Sequence, residues 1–218
     1  MRKMNFVKTF VPKGQYKEKE EREGVCIVHL DGVLNEEMDA YECVECSMPV
    51  SEYSETAVNE AYAAWKVATA NRRLARAKRE VLKKIEDYDK SSTVNGFVLN
   101  GAVVWLDKAT RVGLMNSTTI AKAMGNDTTV LWLGDMKIEV GCDKAIQLLS
   151  ALEMYALECF NVTATHKKNV AELTDIEEVL SYDYTKGYPK KLTINLMNWM
   201  LVILFRNRNW IITKRKNV

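Results

Sequence analysis

The stretch VNGFVLNGAVVWLD, residues 94–107, decides how the chain is read. Two Asn-Gly dipeptides sit inside one apolar, β-branched run that ends in a tryptophan and an aspartate. Asn100-Gly101 is a two-residue hairpin signal, because the tight turn that matches strand twist needs positive φ at both central residues. FVL before it and AVVWL after it supply two short strands. Asn95-Gly96 marks the close of a preceding helix, since Gly tolerates the left-handed backbone that ends one. Asp107 reads as the N-cap of a following helix, KATRVGLMNSTTIAKAM, with an interruption expected near Gly113. A lone hairpin is marginal in water, so this one must lean on those helices.

Alternation then assigns faces: Val103 and Trp105 share one, while Ala102, Val104 and Leu106 share the other. An exposed indole beside an exposed Val103 would leave an apolar patch on the free protein. The expectation is therefore Trp105 inward and Val104 outward, with Val104 free to meet a partner. A second hairpin follows in TTVLWLGDMKIEV, residues 128–140, with its turn at Gly134-Asp135. Its later strand alternates Met136, Ile138 and Val140 with Lys137 and Glu139, so one face is wet.

Long helical patterns flank the hairpins. Residues 54–88 contain no Gly or Pro and are rich in Ala, Arg, Lys and Glu, all good helix formers. Val67, Leu74, Val81 and Tyr88 recur every seventh residue, and Ala70 and Ala77 lie beside them. The stripe Ala70, Leu74, Ala77 and Val81 suits either packing on a later helix of the same chain or self-association, and an oligomer is expected. Asp143 is expected to cap a helix over residues 144–173, and Thr174 with Glu177 to form a capping box before a short closing helix. In residues 1–50, MNFVKTFV, GVCIVHL and AYECVEC are short and β-branched or alternating, which predicts a small antiparallel sheet ending at Pro49. The fold class expected is α+β: residues 1–50 a β module, residues 51–189 a mainly helical module with two hairpins, and residues 190–218 a basic, apolar tail.

Charge and cysteine usage narrow the function classes. The net charge is +2, yet seven of the 31 basic residues and none of the 29 acids follow position 189. The preceding body is thus five charges acidic and gives no electrostatic reason to bind nucleic acid. Five cysteines in 218 residues read as free thiols rather than a disulfide frame. The first residues, MRKMNFVKTFVPKG, lack an apolar core of signal-peptide length, so export by that route is not expected.

Cys26, His29, Cys43 and Cys46 make a C-x2-H and C-x2-C pattern with the arithmetic of a structural zinc site. That pattern carries the alternative reading, a small zinc-containing nucleic-acid or regulatory module. The intervening Ile-Val and Val-Glu favour extended chain, however, where residues three apart point to opposite faces. No metal or other cofactor is expected. DGVLNEEMDAYE lacks the Gly and the third-position ligand of a calcium loop and reads as an acidic surface loop. No nucleophile elbow, P-loop or dinucleotide fingerprint occurs. Cys159 and His166 stand about 10 Å apart along a helix, too far for proton transfer, and His166 reads as a polar helix position. The apolar part of the tail, residues 192–205, is 14 residues long and contains Asn195 and Asn198. It falls short of the roughly 20 residues that span a bilayer. Trp199, Trp210 and the flanking cations suit an interfacial anchor, but the expectation is a final element packed on the core or on a partner.

From residue 74 to 189 the order of segments resembles a domain of unknown function found in phage tail-fibre assembly proteins and neighbouring tail proteins. The residues that carry the resemblance are RRLARAKREVLKKI, the hairpin VNGFVLNGAVVWLD, TRVGL, TTVLWLGDMKIEV, AIQLLSALEMYALECFNVTATHKKNV and IEEVLSYDY. The first fifty residues and the tail lie outside it. The resemblance implies a non-enzymatic phage structural or assembly protein, in the virion or in the host cytoplasm during assembly, whose partners are tail fibres or other tail proteins. On that reading the hairpins present Phe97, Val104, Trp105, Leu131 and Trp132 as contact residues, the alternative for Phe97, Trp105, Leu131 and Trp132 being that each seals helix against hairpin.

Overall fold

The computed structural model describes residues 4–195. The architecture is α+β, with nine strands and five α-helices among the described residues. The chain divides into two compact units, the first ending at Ala75 and the second beginning at Arg76. The boundary falls inside the long helix α1 (Glu55–Asp89) rather than at Pro49.

The first unit is a four-stranded antiparallel sheet with the start of α1 on one face. Its strands are β1 (Phe6–Pro12), β2 (Lys19–Arg22), β3 (Val25–Asn35) and β4 (Ala40–Pro49), in the order β1-β4-β3-β2. Phe6, Cys26, Val28, Val44, Cys46 and Met48 turn one side of the sheet toward Val58 and Tyr62 of α1. A half-apolar sheet needs that cover, which is why the first turns of α1 belong to this unit. Two expectations are corrected here. KEER, residues 19–22, is an edge strand whose charge hid it from hydrophobic pattern and also protects the edge. Most of the expected acidic loop is strand as well: β3 continues to Asn35 through an irregularity between Leu30 and Val33.

The second unit places α1's end beside α2 (Ser92–Asn95), β5 (Phe97–Leu99), β6 (Ala102–Val104), α3 (Lys108–Ala123), β7 (Thr128–Leu133), β8 (Met136–Gly141), α4 (Cys142–Glu172), α5 (Ile176–Leu180) and β9 (Thr193–Ile194). The turn between β5 and β6 has φ +49° at Asn100 and +86° at Gly101, as the Asn-Gly signal requires. Gly96 serves differently from the expectation: its φ is −72°, and a Cβ there would collide with the Ser92 carbonyl. It is a close-approach glycine at the end of α2, not a left-handed cap.

Asp107 does cap α3, accepting from the Thr110 amide at 2.9 Å and the Thr110 hydroxyl at 2.7 Å. α3 runs unbroken through Gly113. The α4 cap position is Gly141, with Asp143 in the first turn, and the α5 cap is Asp175 rather than Thr174. Each correction moves the cap by one or two residues, the usual uncertainty of a helix end read from sequence.

β9 joins the first hairpin as a parallel third strand, with the Val98 amide donating to Leu192 at 2.8 Å and the Asn100 amide to Ile194 at 2.9 Å. The expected tail therefore begins inside the second unit. Its remainder, including Trp199 and Trp210, lies outside the described residues. Phe97, Leu99, Val104, Leu131 and Leu133 of the hairpins pack with Ala145, Leu148, Leu149 and Leu152 of α4.

Thr118 of α3 is fully buried, and its hydroxyl has no hydrogen-bond partner among the described residues. Thr118→Val keeps the shape and removes the unpaired group. It should stabilise the protein by about 1 kcal/mol, a rise of roughly 2–4 °C in a thermal melt. A lower melting temperature would show that the hydroxyl is satisfied in solution.

Candidate functional site

The register of the first hairpin sets its outer face. Phe97 lies opposite Val104, and Leu99 opposite Ala102. Phe97 is 1% exposed, so its cross-strand partner Val104 is drawn into the same core and is 7% exposed. Alternation then turns Val103 and Trp105 outward, at 60% and 45% exposure. The expected faces are reversed: Val104 is core, and the apolar patch judged too costly for a free protein is present. Phe97 and Leu131, expected at a contact surface, are also core, each 1% exposed. Trp132 on β7 is exposed.

Trp105 forms one wall of a cleft of about 630 Å³. Leu157, Phe160 and Ala156 of α4 line it too, and Arg111 with Glu153 borders it. Leu157 and Phe160 are both exposed. On α4 the buried stripe runs through Leu148, Leu149, Leu152, Tyr155, Cys159, Thr163, His166 and Val170. Leu157 and Phe160 lie off that stripe, and apolar residues off a helix's buried face are the sequence signal by which a candidate contact surface can be found.

Arg111 is only 9% exposed. Its Nε donates to Glu153 Oε1 at 2.8 Å and its Nη1 to the Leu106 carbonyl at 2.6 Å. The fork thus ties α3 to α4 and to the end of the hairpin, and it fixes the strand exit that carries Trp105. Tyr155 adds a second tie by donating to the Val94 carbonyl at 2.7 Å. Burial first, then the neighbouring Cys159, pushes its hydroxyl up to about 12, so the proton stays in place to make that bond.

His166 is a polar position of α4, as expected, and it is buried in a separate network. Its Nε2 lies 2.9 Å from the Lys186 carbonyl and must donate there, which makes Nδ1 of the neutral ring the acceptor for Tyr182 at 2.8 Å. Thr163 meets the Asp89 carboxylate at 2.7 Å and the Tyr188 hydroxyl at 2.9 Å. These bonds pin residues 182–188 to α4 and the end of α1, a structural task. Burial raises the Cys159 thiol, which keeps it protonated and unreactive.

The zinc-pattern residues are divided by their strands. Cys26 and Cys46 sit in the core against α1. His29 instead points Nδ1 at the Lys17 carbonyl, 2.6 Å away, and pairs across the strands with Glu45. Cys43 is buried too, and burial raises the thiols of Cys26, Cys43 and Cys46 alike. Among the described residues no three His, Cys, Asp or Glu side chains are grouped to hold a metal ion.

The α1 stripe is also divided. Ala77 and Val81 are buried at 5% and 4% exposure, next to a fully buried Ile85. Lys78 donates to the Ala171 carbonyl and Lys167 pairs with Glu86, so this half of α1 lies along α4. That is packing on a later helix of the same chain, and it removes Ala77 and Val81 from any oligomer surface. Leu74 is half-buried, and Ala70 is exposed beside a cleft of about 500 Å³ in the first unit. There Tyr62 donates to Asp31 at 2.9 Å, and Lys66 reaches the same oxygen at 3.2 Å. Burial and then the Asp31 bond push the Tyr62 hydroxyl up to about 12. The Tyr62 bond also lowers the Asp31 carboxyl, so this pair is a fixed strut.

No family model matches the chain, and neither the curated proteins nor the solved structures contain a match.

Proposed function

We propose that the chain is a non-enzymatic protein of the phage tail or of its assembly, acting by protein contacts through the Trp105 cleft. The observation that carries this reading is an exposed aromatic and aliphatic wall, Trp105, Leu157 and Phe160, bordered by the buried Arg111 and its half-buried partner Glu153. Tryptophan in a pocket beside arginine is the composition of an interface anchor. The tail setting rests on the ordered segments of residues 74–189 quoted above. The two described histidines and the buried cysteines are taken up by structural bonds and core packing, which suits a contact protein better than a nucleophile-based enzyme.

The test is co-expression with the tail-fibre protein of the genome that encodes the chain. Trp105→Ala should weaken co-purification by tenfold or more, about 2 kcal/mol for an anchor residue, and shift the melting temperature by only a few degrees. Undiminished capture by the variant would remove the cleft from the interface. Mass spectrometry of purified virions then decides between a resident tail component and a factor that leaves after assembly.

A further inference from the structure

We propose that the β7–β8 hairpin is a self-association surface whose occupant is the same hairpin of a second copy. The inference does not depend on the tail reading. It starts from the register, in which Val130 lies opposite Glu139, Leu131 opposite Ile138, and Trp132 opposite Lys137. Directly opposed residues share a face. Leu131 and Leu133 are buried, so Val130, Trp132, Lys137 and Glu139 form the outer face, and all four are exposed. The face carries a bulky indole at one end of one diagonal and a cation and an anion two residues apart on the other strand.

That arrangement is complementary to itself. Let a two-fold axis lie in the plane of contact, across the strands at the level of the Leu131–Ile138 pair. It lays β8 antiparallel over the β8 of the second copy, so Lys137 of each copy faces Glu139 of the other. The same rotation lays Trp132 of each copy over Val130 of the other. Two ion pairs and two apolar pairs thus form from one rotation, as an isologous contact requires. Sheets stacked face to face stand about 10 Å apart, a gap that Lys and Glu side chains bridge together. No other register along the strand achieves this: a shift by two residues opposes like charges or places Trp132 against solvent. Six-residue strands at about 3.4 Å per residue give a face only about 20 Å long. This is smaller than a standard interface of roughly 800 Å² per partner, so the dimer is weak and populated near 100 µM and above.

The experiment is sedimentation equilibrium on the full chain from about 10 to 500 µM. The wild-type chain should show concentration-dependent dimerisation. Lys137→Glu opposes carboxylates at both symmetry-related positions and should weaken the dimer about tenfold, less so at high salt. The double change Lys137→Glu with Glu139→Lys exchanges the charges, restores both pairs and should recover the wild-type constant. Should Lys137→Glu not fold, Glu139→Lys alone opposes lysines and reads the same contact. A wild-type chain that stays monomeric throughout, a single variant with no effect, or a double variant as weak as the single would each overturn the proposal. Monomeric behaviour would instead assign the face to a different protein.

Discussion

Val104→Lys is expected to destabilise the second unit by about 3–5 kcal/mol, the cost of an ammonium left unpaired in a packed core. Val104 is 7% exposed and sits among Phe97, Leu99, Leu131 and Leu133. Leu131 and Leu133 belong to the second hairpin, and Val104 Cγ1 is near enough to its turn that a Cβ added at Gly134 would lie 3.6 Å away. Lysine would place its ammonium among these apolar side chains. Chemical denaturation measures the effect directly. A variant with unchanged stability would mean that Val104 faces solvent and Trp105 the core, reversing the candidate site.

Arg111→Leu is expected to cost about 2–4 kcal/mol, because it removes two hydrogen bonds and leaves their acceptors behind. The Leu106 carbonyl loses its donor in a buried setting, while Glu153, with its side chain 35% exposed, recovers part of its loss from water. Adding Glu153→Leu should then return some stability, since the orphaned carboxylate goes with its partner. Denaturation of the single and double variants checks this. Equal stability of Arg111→Leu and wild type would show that the fork does not hold the hairpin exit.

Local chemistry was legible in the sequence where one or two residues suffice to specify it. Asn100-Gly101 announced its turn, Asp107 its helix, and the Lys137 and Glu139 alternation its wet face. The parity of β6 was not legible, because Ala102 through Leu106 are all apolar and either face could be buried. Only the pairing with Phe97 decides it, and that pairing depends on the turn register. A final element on the core was expected of the tail, and β9 is one, but its pairing with β5 across nearly a hundred intervening positions has no local signal. The zinc pattern was read correctly as extended chain, and β3 and β4 separate its members. For the cleft, Trp105 stands out in the sequence as an anchor residue, but its side follows from the same register and not from local sequence. Leu157 and Phe160 do not stand out in the sequence, because the helix around them reads as apolar on several faces at once and the buried stripe is clear only once α4 is placed.

The claim at the centre of this account is that Trp105 and Phe160 form an open contact wall while Phe97 and Leu131 fill the core beneath. Hydroxyl-radical footprinting read by mass spectrometry tests it residue by residue, on the free chain and on the chain bound to the proposed tail-fibre partner. The account predicts oxidation of Trp105 and Phe160 in the free protein, their protection in the complex, and little reaction at Phe97 and Leu131 in either. An unreactive Trp105 in the free chain, or one oxidised equally with and without the partner, would contradict it.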